Sequence, residues 1–73
     1  MNTNHIELES RALNALIAEV AEALTADDTL TVSDALDEME GIWMHTECPE
    51  IRSRAAAFMR QHAAYGEFYK FSA

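Results

Sequence analysis

The sequence predicts an all-α fold: a small three-helix bundle, a long N-terminal helix followed by a helical hairpin, with a short aromatic C-terminal tail. Three observations predict it. Apolar residues recur with a 3.6-residue period through three segments. Thirteen alanines stand against two glycines and one proline, a composition that favours helix over sheet. The breaks in the period coincide with turn chemistry, around Asp27 and Asp28 and again at Cys48 and Pro49. At 73 residues the chain reads as a single acidic helical domain, 1–73.

The first helix is expected from about Asn4 to Leu24. Ile6, Leu13, Ile17, Val20 and Leu24 fall in a narrow stripe, widened on one flank by Leu16, Ala12 and Ala23. The back of this helix is small and polar, with Ala15, Ala18 and Glu22. Asp27 and Asp28 prefer local backbone hydrogen bonds to helix continuation, so the segment ends before them. The second helix is expected from about Val32 to His45. Thr31 with Asp34 forms an acidic version of a capping box, and Ser33 is an alternative cap. Val32, Ala35, Leu36, Met39, Ile42 and Trp43 make its apolar face.

Pro49 pushes Cys48 out of the α region and then sits in the first turn of the third helix, where its missing N–H does little harm. That helix is expected to run to about Tyr65, with Ile51, Ala55, Phe58, Met59, His62 and Tyr65 on its inner face. Gly66 is placed to close it. Four of the chain's six aromatics, Tyr65, Phe68, Tyr69 and Phe71, fall in the last nine residues. That much apolar area is expected to dock, with Tyr65, Phe68 and Phe71 packing on the bundle or on a dimer mate.

Charge is distributed unevenly. Residues 1–50 hold twelve acids against Arg11, a sum of −11, and residues 51–73 hold four bases against Glu67, a sum of +3. Such a field opposes nucleic acid and anionic membrane and attracts basic protein surfaces. Arg52, Arg54 and Arg60 form no single stripe on the third helix, so direct nucleic-acid binding is not expected. Their expected role is to neutralise acids on the first two helices or on a second subunit. No apolar run approaches the roughly 20 residues a membrane span requires. The absence of a secretory pattern and the lone Cys48 point to the cytoplasm, or to a host cell's cytoplasm if the protein is virus-encoded.

The chain offers little that reads as catalysis, and enzyme activity is not expected. His45 and Cys48 have i,i+3 spacing, but a closed zinc site needs four ligands and His5 and His62 are distant in sequence, so neither a metal nor another cofactor is expected. Asp34, Asp37 and Glu38 crowd the second helix, and a solvated face explains them better than a catalytic pair, which needs a cleft with apolar walls. Gly41, in the middle of that acidic face, is either a tolerated blemish or a place where another chain approaches the backbone closely, beside an exposed Met44. His62 reads as a core-edge histidine bonded to a carbonyl or a tyrosine.

Two functional expectations follow, of different kinds. In the first, the chain is a small acidic protein-binding module that engages a basic surface of a nucleic-acid-handling protein. Inhibitors or regulators of the type encoded by phages and mobile elements often share this size and charge, by analogy only. Glu19, Glu22, Asp34, Asp37, Glu38 and Glu40 would carry it, with Met44 supplying apolar contact. In the second, the chain is a structural or regulatory homodimeric subunit with no nucleic-acid-related target. A chain this short buries only about 60% of its unfolded surface, which makes a homodimer the expected state.

Overall fold

A computed structural model describes residues 3–63. Three α-helices follow one another: α1 over Thr3–Thr25, α2 over Thr29–His45 and α3 over Pro49–Gln61. They form an all-α three-helix bundle in which α1 and α2 pair most extensively, α3 packs chiefly on α2, and α3 meets α1 more sparingly.

The core is the predicted stripe of each helix. Leu13, Leu16, Val20 and Ala23 from α1 meet Val32, Ala35, Leu36 and Met39 from α2, with Ile51, Ala55 and Met59 from α3. Ile17, Leu24, Ile42, Trp43, Cys48, Phe58 and Ala63 are half-buried around them. Burying a leucine or methionine side chain contributes about 1.5–3 kcal/mol, so these few residues dominate the stability of so small a domain. Ala56 is also buried, an addition to the expected face of α3. Ile6, expected in the α1 stripe, lies outside the core, 43% exposed, in a depression it shares with His45, Glu47 and Cys48.

The turn from α1 to α2 is closed by local bonds. The Asp28 amide donates to Ala23 O at 2.8 Å and the Asp27 amide to Leu24 O at 3.2 Å. This is a Schellman arrangement with Asp27 at the position that glycine usually fills. Asp27 accordingly has φ of 63°, the left-handed region that Asp tolerates better than most residues. The second helix starts earlier than expected, at Thr29, with Asp28 as its cap in place of Thr31 or Ser33. Asp28 Oδ1 accepts from the Thr31 amide at 3.2 Å and Oδ2 from the Thr31 hydroxyl at 2.6 Å. A carboxylate is a stronger acceptor than a hydroxyl for the first-turn amides, so the aspartate takes the cap and the threonine becomes its donor. Those two bonds, the hydroxyl's foremost, hold the Asp28 carboxyl below its ordinary pKa.

The third helix begins as expected, with Cys48 extended as its N-cap and Pro49 in the first turn. It ends at Gln61, earlier than the expected Tyr65. The His62 amide donates to Met59 O at 3.1 Å, and His62 Nδ1 lies 3.0 Å from Phe58 O. Both bonds satisfy carbonyls at the helix end, so the chain leaves the α conformation there. The imidazole also stacks on Phe58, ring centres 4.3 Å apart, which matches the core-edge histidine bonded to a carbonyl. Tyr65, Gly66, Phe68, Tyr69 and Phe71 lie outside the described residues.

Candidate functional site

The second turn fixes how the helices meet. Thr46, only 1% exposed, sits between α2 and α3 with its polar groups satisfied from three directions. Its hydroxyl donates to Glu9 Oε1 of α1 at 2.6 Å, and the Cys48 amide donates back to that hydroxyl at 3.1 Å. Arg52 Nη2 donates to the Thr46 carbonyl at 2.6 Å, while the Thr46 amide caps α2 through Ile42 O at 2.9 Å. One buried threonine thus ties the N-terminal part of α1 to the end of α2 and the start of α3. A further link, Arg54 Nη2 to Asn14 Oδ1 at 2.6 Å, pins α3 to α1. Arg52 and Arg54 therefore bond neutral acceptors, a carbonyl and an amide, in place of the expected carboxylates.

With α3 held on one flank of the α1–α2 pair, no described helix covers the other. A groove of about 700 Å³ runs along it, lined from α1 by Glu9, Ala12, Ala15, Leu16 and Glu19 and from α2 and the following turn by Glu38, Gly41, Ile42, His45 and Thr46. No residue of α3 lines it. The spacing explains the lining. Ala12, Ala15 and Glu19 fall at i, i+3 and i+7 on α1, and Glu38, Gly41 and His45 repeat that spacing on α2, so each set shares one side of its helix. The floor is apolar and low, built from alanines, Leu16, Ile42 and the backbone at Gly41. A methyl group built on Gly41 would meet nothing within 4 Å, so the glycine is not required for packing inside the bundle. Leu8, one turn before Ala12 on the same side, is 62% exposed and continues the apolar strip.

The predicted acidic residues divide between two surfaces. Glu19 and Glu38 line the groove; Glu22 and Asp34, three or four residues away along their helices, extend its rim toward the α1–α2 turn, and both are exposed. Asp37 is exposed but lies about 100° around α2 from Glu38, on the outer back of the helix. Met44, 58% exposed, lies on that same back. Glu40 is half-buried and by the same projection faces the α3 side. Crowding along the sequence thus hid a separation in space. The groove floor was missed as a site because Ala12 read as part of the core stripe and Ala15 as inert backing; the matched i, i+3, i+7 sets were the available signal.

A second depression, of about 380 Å³, gathers His5, Ile6, Glu9, His45, Glu47 and Cys48. The fold therefore brings His5 to the His45–Cys48 corner, which sequence distance concealed. Among the described residues, however, no three His, Cys, Asp or Glu side chains converge in a way that could hold a metal ion. No described helix is long and apolar enough to cross a membrane. Comparison with family models, curated proteins and solved structures finds no match to this chain.

Proposed function

We propose that this chain is a small acidic protein-binding module whose carboxylate-bearing α1–α2 hairpin engages a basic surface of a nucleic-acid-handling protein, as an inhibitor or regulator would. The observation that carries this reading is the charge of the α1–α2 hairpin. Residues 3–48 hold eleven acids against Arg11, a sum of −10, and the nearest cations on α3 are turned to neutral acceptors, Arg52 to Thr46 O and Arg54 to Asn14. The three arginines of α3 against Glu50, a sum of +2, offset only a small part of the hairpin's −10. The negative field that remains speeds association with a positively charged partner and competes with phosphates for the same surface. The partner is a protein, because a phosphate backbone would be repelled.

The test is capture of partners from the cell in which the protein acts, followed by competition. The captured partner's DNA or RNA binding is measured with increasing amounts of this protein at about 0.1 M and about 0.5 M salt, since exposed charges are screened over shorter distances at the higher value. Displacement of nucleic acid at low salt, weakened at high salt and by joint reversal of Glu19 and Glu38 to lysine, is the expected outcome. Unaltered nucleic-acid binding by every captured protein overturns the reading.

A further inference from the structure

We infer that the α1–α2 groove is a docking site for one amphipathic, lysine- or arginine-flanked α-helix of the partner. This rests on the reading of the chain as an acidic binding module and names the element that is recognised. The groove runs between two antiparallel helices over roughly 15 Å of α1, about the length of three helical turns. Its floor presents Ala12, Ala15, Leu16 and Ile42 and the open backbone side of Gly41, so a partner backbone can approach closely. The walls are helices whose own amides and carbonyls are already bonded. An extended peptide laid there would find no backbone partners, whereas a helix arrives with its backbone satisfied and only needs an apolar stripe to bury.

The rim determines which helix fits. Glu19 and Glu38 line the groove at the end nearer the α1–α2 turn, with Glu22 and Asp34 beyond them. Basic residues flanking the apolar stripe of an incoming helix meet these carboxylates. A second copy of this chain carries the same acidic hairpin and no basic flank on this face, so it lacks the charge complementarity that a lysine- or arginine-flanked helix supplies. Leu8, exposed at the far end of the strip, supplies the apolar contact that the acidic end lacks.

The experiment uses the full chain and a synthetic probe of about 18 residues, long enough to hold helix, with lysines flanking a leucine and alanine stripe. A second probe has the same charge and a central proline that breaks the helix. Binding is read by fluorescence anisotropy and stability by thermal melting. The helical probe is expected to bind roughly tenfold tighter than the broken one. Gly41→Gln and Ala15→Gln, which fill the floor without changing charge, are expected to weaken that binding about tenfold while the protein melts no earlier than wild type. Gly41→Gln is the decisive variant, because a Cβ at Gly41 meets nothing within 4 Å, and the melting curve shows directly whether the longer side chain is tolerated. Asp37→Lys, on the back of α2, is expected to matter far less than Glu38→Lys. If both probes bind equally, or if the filled variants bind as wild type while Asp37→Lys and Glu38→Lys act alike, the groove is overturned and a diffuse acidic surface remains. If neither probe binds at low salt, the acidic-module reading falls with it.

Discussion

The two flanks of the α1–α2 hairpin are built from the same kinds of helix, yet among the described residues only one is covered by a third helix. On the α3 side, Ile51, Ala55 and Met59 complete the core, and Thr46, Arg52 and the Arg54–Asn14 bond lock the third helix in place. On the other side, alanines, a glycine and a row of carboxylates line an open groove. The difference separates folding from recognition: substitutions on the sealed flank cost stability, and substitutions on the open flank cost binding.

The largest break should come at the sealed flank. Leu36, fully buried where the helices meet, changed to alanine leaves a cavity costing about 2–5 kcal/mol. That is a large share of the stability of a domain this size, so the midpoint of urea unfolding should fall sharply. Thr46→Val comes next. It keeps the shape but removes the hydroxyl that donates to Glu9 and accepts from Cys48, at about 2 kcal/mol, because a carboxylate and an amide lose their partner. On the open flank the sign reverses: Gly41→Ala should stabilise by about 1 kcal/mol, since alanine is the better helix former and nothing stands within 4 Å of the new methyl. A destabilised Gly41→Ala would show that this side is closed.

The smallest effect belongs to the exposed cap of α2. Asp28 carries a carboxyl held below its ordinary value of 3.8 by the Thr31 hydroxyl and amide. A depressed folded-state pKa means that the stabilisation is full above the unfolded value and disappears as pH falls through the lower folded one. Asp28→Ala should therefore lower the melting temperature slightly at neutral pH and lose that difference in strong acid. A difference that persists in acid would place the effect elsewhere than in the carboxylate.

Much of the fold was legible because its determinants are local. The 3.6-residue stripes named Leu13, Val20, Leu36, Met39 and Met59 as core, and Pro49 marked the start of α3. The aspartates marked the first turn, although which of them capped α2 depended on the left-handed turn at Asp27, a conformation that sequence spacing does not reveal. The second turn was less legible. Thr46 finds Glu9 across 37 positions and Arg54 finds Asn14 across 40, and no periodicity announces a hydrogen bond between helices. The candidate site was legible as charge and not as shape. Glu19 and Glu38 were named for their sign, while Asp37, Met44 and Glu40 were grouped with them by closeness along the chain, although neighbours along a helix point in different directions. Of the floor, Gly41 alone was legible as a point of close backbone approach; the alanines were not, because they matter there for the room they leave.

The most direct measurement is an amide chemical-shift titration of this chain with the lysine-flanked helical peptide. An open flank that receives a basic helix predicts the largest shifts at Ala12, Ala15, Glu38 and Gly41, with Ala55, Ala56 and Met59 of α3 nearly still. Shifts centred on α3, or spread evenly over every exposed carboxylate, would contradict it.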